Sequence, residues 1–262
     1  MLWGLGVGYV ISGEYFGWNL GLPVAGTYGM LIATLLVTVM YVAFVLSYAE
    51  LACAIPHAGG AFAYALRALG PGAGFLAGLF QWIEFAFAPP AIALAIGAYL
   101  NIYLPGVSPL ALAGIAYLAL TALNVWGVRQ AATFELFVTV IAVAELLVFC
   151  AVTAPSFRWE NVAADALPNG FGGVVAAIPF AIWFYLAIEG VANAAEEAHD
   201  PQRDIAIGLG SAMATLVVLA LAVFFCATGV AGWRAIVYPD PLSNVPSDSP
   251  LPLEMAHAVS ED

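Results

Sequence analysis

The sequence predicts an all-α protein that crosses a membrane several times. Hydrophobic side chains make up 64% of its 262 residues and charged side chains 8%, whereas soluble domains average roughly half apolar and a quarter charged residues. The apolar residues fall into long runs, and a helix needs about 20 of them to cross a bilayer core of about 30 Å. Helices satisfy their own backbone hydrogen bonds inside lipid, so they are the expected spanning elements.

Seven apolar runs, each bounded by proline, glycine or charged residues, predict seven membrane spans. The spans cover residues 4–26, 28–54, 72–104, 109–127, 131–153, 172–197 and 205–232. Residues 1–233 are therefore expected to form one transmembrane domain in the plasma or inner membrane. Residues 234–262 contain five prolines and five acids, which predicts a polar extracellular loop, cut short, rather than an eighth span. Alternating crossings place three of the five arginines on the side of the N-terminus, which favours a cytoplasmic N-terminus.

The charge balance excludes several classes of function. Seventeen acids stand against five arginines, no lysine occurs, and the net charge is −12, which argues against nucleic-acid partners and anionic lipid surfaces. The three cysteines show no metal-ligand spacing. A retinal protein would need a lysine, and no serine or zinc hydrolase motif occurs. The sequence therefore predicts neither an enzyme nor a bound cofactor or metal.

Four glutamates, Glu14, Glu84, Glu145 and Glu189, lie at membrane depth. A charge there costs about 2.5 to 3.5 kcal/mol on the insertion scale, so each is a functional candidate. No arginine or histidine lies at comparable depth in the seven runs. These acids are either protonated or bind the cation of a ligand.

Spans 1 and 6 carry signals of an interrupted helix. Gly13 and Gly17 flank Glu14 in span 1, and Pro179 precedes Glu189 and Gly190 in span 6. Two broken spans, each with a mid-depth acid and five helices apart, are typical of inverted-repeat transporters, which bind substrate between such helices. The alternatives are glycines that only pack against a neighbouring helix and a chance pairing of two glycine-containing spans.

The other acids have less specific surroundings. Pro89 and Pro90 should kink span 3, so that Glu84 borders a polar pocket. Glu145 has no helix breaker beside it, and a structural hydrogen bond and a proton relay are both open interpretations. Glu50 and Glu135 are interpreted as solvated, and the three histidines as loop residues without a special role. Aromatic rings near the acids could hold an ammonium group against their faces. We expect at most two or three of these rings to do so. The candidates are Tyr15, Phe16, Trp18, Trp82, Phe85, Phe87, Trp183, Phe184 and Tyr185.

Three motifs together resemble the amino acid, polyamine and organocation carriers, and most closely their ethanolamine permease branch. The motifs are the break Ile11-Ser12-Gly13-Glu14, the turn Pro56-His-Ala-Gly-Gly60 with Tyr64 downstream, and Trp183 to Glu189 followed by Glu196-Glu197 and Asp200-Pro201-Gln-Arg203. The strings Ser-Gly-Glu-Tyr-Phe-Gly-Trp-Asn and Glu-Phe-Ala-Phe-Ala-Pro-Pro-Ala are similar to the ethanolamine branch in particular.

The resemblance implies a LeuT-type inverted-repeat fold of some twelve helices, of which about seven are present, so the chain looks like a fragment that needs further C-terminal helices. It implies import of a small primary amine, with ethanolamine as the first candidate. Import would be coupled to H⁺ or Na⁺ or would proceed by exchange. General amino acid carriers have an apolar residue at the position of Glu14. Some proton-coupled relatives carry a lysine in span 5, near the position of Ala142 in this chain, so coupling through that lysine is not expected here. The implied substrate residues are Ser12, Gly13, Glu14, Tyr15, Glu84, Trp183, Tyr185 and Glu189, and the implied coupling residues are Glu145 and Glu189. A general amino acid or polyamine permease of the same superfamily is the alternative.

Overall fold

The computed structural model describes residues 1–198, 200–238, 245–247 and 250–260, and all regular structure in these ranges is helical. The α-helices are α1 (Leu2–Val10), α2 (Ser12–Phe16), α3 (Trp18–Ala54), α4 (Gly60–Leu69), α5 (Pro71–Tyr103), α6 (Pro109–Trp126), α7 (Val128–Thr153), α8 (Trp159–Ala163), α9 (Gly170–Ile182), α10 (Pro201–Gly229), α11 (Trp233–Val237) and α12 (Pro250–Ser260). Two 3₁₀ helices cover Ala154–Ser156 and Ile188–Glu197.

Five of these helices, α3, α5, α6, α7 and α10, are long and apolar enough to cross a membrane. This confirms the prediction of an all-α, multi-pass membrane protein. The long helix α3 contains the end of predicted span 1 and all of span 2, which meet at Gly26, where φ is 68° and ψ is −178°. Only glycine adopts that conformation without strain. Helix α5 continues through Pro89 and Pro90 without a break.

Spans 1 and 6 are interrupted, as the sequence predicts. In span 1 the helix ends at Val10. The Glu14 amide donates at 3.1 Å to the carbonyl of Ile11, three residues back, whereas an α-helical bond would reach four residues back. Ile11 keeps helical dihedral angles, so this break is a local tightening. In span 6 the break is larger, because Ala187 takes a left-handed conformation with φ of 73° before the 3₁₀ helix. This conformation costs conformational free energy for any residue other than glycine.

Residues 234–262 differ from the predicted polar loop, because they contain α11 and α12. The Glu254 carboxylate on α12 accepts hydrogen bonds from the amides of Val230 and Ala231, at 3.0 and 2.9 Å, just past the end of α10. Leu251, Glu254 and Ala258 are buried along one face of α12. Two of the five prolines behind the loop prediction, Pro250 and Pro252, stand in the first turn of the helix, where proline is tolerated.

The chain divides into two compact units that interleave along the sequence. The first contains Met1–Tyr9, Val42–Val138 and Ala187–Ala214, and the second contains Val10–Tyr41, Thr139–Leu186 and Thr215–Asp262. Small residues allow close helix packing in the first unit, for example Gly97 against Ala113 and Gly6 against Ala212. Aromatic rings fill the core of the second unit, where the Trp18 ring lies 4.1 Å from that of Phe184 and 5.4 Å from that of Phe224.

Candidate functional site

Glu14 is a fully buried acid in the second unit. Its side chain is 0% exposed, and neither carboxylate oxygen has a hydrogen-bond partner among the described residues. Tyr185 and Cys150 are close enough to interact with it electrostatically. A buried carboxylate is stable only when it is protonated or paired with a cation. Glu14 therefore needs either a proton or a cation at this position.

The two interrupted segments meet beside Glu14. A side chain at Gly13 would put its Cβ 2.5 Å from the Trp183 carbonyl oxygen and 3.1 Å from the Phe184 Cα. No real Cβ fits at that distance, so this approach of one backbone to the other requires glycine. Trp183 lies in the turn that follows α9, and Gly13 lies in α2. The structure thus brings together the two breaks that the sequence predicts.

Aromatic and hydroxyl groups surround this contact in the second unit. The Tyr185 side chain is fully buried, its hydroxyl lies 2.6 Å from the Thr38 hydroxyl, and its ring is 5.4 Å from that of Tyr41. The Tyr15 hydroxyl donates to the Ala142 carbonyl at 3.0 Å and lies 3.2 Å from a Glu145 carboxylate oxygen.

The remaining predicted residues of the second unit are less enclosed. Ser12 and Trp183 are half-buried, and Glu145 is exposed on the surface of α7. In the first unit, Trp82 and Phe87 are 66% and 69% exposed on α5. Their faces therefore do not enclose a ligand within that unit.

A second polar cluster, in the first unit, contains Glu84 and Glu189. Glu84 belongs to α5 and Glu189 to the 3₁₀ helix, and both acids are half-buried. Tyr48 on α3 lies within electrostatic reach of both acids. The Gln81 amide nitrogen lies 3.3 Å from the Asn193 side-chain oxygen. A Cβ at Gly60, where φ is 49°, would lie 2.6 Å from that same Asn193 oxygen, so the Asn193 side chain would have to move.

A cavity of about 640 Å³ also lies in the first unit. Residues of α1, α6, α7, α10 and the 3₁₀ helix form its walls, among them Glu135, Gly190, Asn193, Asp204 and Ser211. Among the residues that the structure describes, two acids and no basic side chain line it. The interpretation of Glu135 as a solvated residue at a span end was incomplete, because this acid is half-buried and faces the cavity.

The glycine-rich turn after α3 contacts the end of the 3₁₀ helix. The Ala58 amide donates to the Glu196 carboxylate at 2.9 Å, and His57 Nδ1 lies 3.8 Å from the same carboxylate oxygen. His57 also accepts a hydrogen bond from the Gly59 amide at 2.8 Å. These contacts give His57 a structural role in the turn, which the sequence alone did not indicate. His199 lies outside the described residues.

The comparisons with known proteins decide the family. A family model described as amino acid permease matches residues 6–249. The chain belongs to the amino acid permease family. It is similar to an uncharacterized transporter of Rhizobium meliloti (strain 1021), with 31% identity over 89% of this chain and 52% of that protein.

Two further relatives have named substrates. A methylthioribose transporter of Bacillus subtilis (strain 168) is 28% identical over 75% of this chain and 46% of its own length. A gamma-aminobutyric acid permease of Escherichia coli (strain K12) is 25% identical over 88% of this chain and 52% of its own length. The chain spans about half the length of the curated relatives that it matches.

Proposed function

We propose that the complete protein is a secondary active permease that imports a small primary amine across the cell membrane, with ethanolamine as the first candidate substrate. Import is coupled to H⁺ or Na⁺ or runs as exchange. The single observation that supports this proposal is the fully buried Glu14 carboxylate without a partner among the described residues. Membership of the permease family supports transport as the general activity.

The substrate class follows from the charge of Glu14. An ammonium group that binds a buried carboxylate forms a charge-assisted hydrogen bond and removes the cost of the unpaired charge. A substrate carboxylate at the same place would be repelled. Ser12, Gly13, Tyr15, Trp183 and Tyr185 are proposed to enclose the amine with Glu14. Glu189 and Glu145 are proposed to serve coupling.

Uptake by the complete protein in proteoliposomes tests the substrate class. Labelled ethanolamine should enter saturably, and unlabelled ethanolamine should compete at least tenfold better than γ-aminobutyrate, leucine or putrescine. Liposomes without the protein give the background. A stronger competition by γ-aminobutyrate or leucine would favour an amino acid permease, and a stronger competition by putrescine would favour a polyamine permease.

We also propose that transport requires helices beyond the residues described here, because the relatives are about twice as long and inverted-repeat transporters bind substrate within the scaffold of both repeats. Residues 1–262 expressed alone should insert into the membrane but show no saturable ethanolamine uptake. The complete protein, reconstituted at the same density, is the control. Saturable uptake by residues 1–262 would contradict this proposal and indicate a self-sufficient assembly.

A further inference from the structure

Two of the three cysteines come together in the second unit, at the ends of two membrane helices. Cys150 lies three residues before the end of α7 at Thr153, and Cys226 lies three residues before the end of α10 at Gly229. The Cys226 sulfur is 3.9 Å from the Cys150 carbonyl oxygen, although 76 residues separate the two cysteines in the sequence. One thiol thus lies against the backbone of the other cysteine.

Both cysteines lie on the packed faces of their helices. Residues three or four positions apart share a helix face, and Cys150 stands between Leu146 and Thr153, which are both 0% exposed. Cys226 follows Val223, also 0% exposed, by three residues. Both cysteines are themselves half-buried and carry free thiols. The thiols therefore combine close helix packing with access from outside the core.

The chain beyond α7 fixes the ends of the two helices against each other. The Arg158 amide donates to the Gly229 carbonyl at 2.9 Å, and the Asn161 side chain donates to the same oxygen at 3.0 Å. The Trp159 and Phe225 rings stack, with 6.3 Å between their centroids. A disulfide requires that the two Cα atoms come within about 7 Å of each other. These contacts hold the cysteines at neighbouring positions of two packed helices, as that bond requires.

Both helix ends are expected on the outer side of the membrane. Helices α7 and α10 correspond to the fifth and seventh predicted spans, which cross in the same direction when crossings alternate. The arginines favour a cytoplasmic N-terminus, which places both C-terminal ends outside. Disulfides form and persist outside the cytoplasm and are rare within it.

We propose that Cys150 and Cys226 are an oxidation site, at which a disulfide forms between α7 and α10. The oxidant is the disulfide of a thiol–disulfide exchange protein or of glutathione. One cysteine thiolate attacks it to form a mixed disulfide, and the second thiolate then displaces the remaining sulfur of the oxidant. The new S–S bond takes two electrons from the cysteines, and their two protons end on the two thiols of the reduced oxidant. The bond encloses α9 and the broken span 6, and it restrains the chain on both sides of that break.

Peptide mapping of the complete protein in lipid tests the site. After treatment with oxidised glutathione, cleavage at arginines should release residues 130–158 linked to residues 204–234, each with one cysteine. Dithiothreitol should separate the two peptides. Cys150→Ser and Cys226→Ser should each abolish the linked product. The matched control is Cys53→Ser, at a thiol of the first unit that donates to the Gln202 carbonyl at 3.0 Å, and it should leave the product unchanged.

Two results of the mapping would overturn the proposal. One is that both thiols stay free or carry only glutathione after the treatment. The other is that either cysteine is linked to Cys53 or to a second molecule instead. Neither result involves ethanolamine uptake, so the oxidation site and the proposed transport function stand or fall separately.

Thermal unfolding tests the restraint that the bond imposes. Oxidation should raise the unfolding midpoint of the parent by several degrees, because a disulfide removes conformational freedom from the unfolded chain. The same treatment should leave the midpoint of Cys150→Ser unchanged. Equal midpoints for the oxidised and the reduced parent, with the linked peptides present, would contradict the restraint between α7 and α10.

Discussion

Replacing Glu14 by glutamine should raise the Michaelis constant for ethanolamine uptake roughly ten- to a hundredfold in the complete protein. The substitution keeps the shape of the buried side chain and removes its charge. An ammonium to carboxylate contact contributes about 1.5 to 3 kcal/mol net, and each 1.4 kcal/mol is a factor of about ten in affinity. Initial rates of labelled ethanolamine uptake across a concentration series measure the change.

Two matched variants serve as controls for this prediction. Glu50→Gln removes an exposed acid of α3 and should leave the Michaelis constant unchanged. Glu84→Gln should raise it less than Glu14→Gln, because Glu84 is only half-buried whereas Glu14 is fully buried. Membrane insertion and monodispersity should be the same in all three variants. An unchanged Michaelis constant in Glu14→Gln would remove the central support for amine recognition.

Replacing Gly13 by alanine should reduce ethanolamine uptake at least a hundredfold. The new Cβ would lie 2.5 Å from the Trp183 carbonyl oxygen and 2.9 Å from its carbonyl carbon. The contacted atoms are backbone, so the two broken segments must move apart, and a displacement of about 1 Å can cost about a hundredfold in activity. The overpacking itself should destabilise the fold by about 1 to 3 kcal/mol.

The matched control is Gly114→Ala on α6, where the new Cβ would meet no atom within 4 Å. Uptake by this variant should equal that of the parent. Thermal unfolding of both purified variants separates the loss of stability from the loss of transport. Full activity of Gly13→Ala would show that the contact between the two breaks does not define the site.

Local sequence signals predict the spans and their breaks well. The glycines around Glu14 and the proline of span 6 act on their own segments, so their effects are visible without the fold. The helix α12 was missed for the same local reason, since the five prolines and five acids of residues 234–262 suggest a loop until the buried positions Leu251 and Ala258 are known. Tertiary contacts override such signals.

The pairing of residues that are distant in the sequence could not be predicted. Nothing near Gly13 in the sequence indicates that it lies against the Trp183 carbonyl. Likewise, the position of Glu135 near a span end suggested solvent, while the neighbouring helices enclose it in a cavity. These contacts depend on how the helices pack against one another. The hydrophobic pattern of a membrane helix gives little information about that packing.

Binding of ethanolamine and serine to the complete protein tests the central claim most directly, because serine is ethanolamine with an added carboxylate. Titration calorimetry of the parent should give an affinity for ethanolamine at least tenfold higher than for serine. Glu14→Gln should reduce this ratio to about one, because the repulsion of the carboxylate and the attraction of the amine both depend on that charge. Equal or tighter binding of serine by the parent would contradict amine recognition by Glu14.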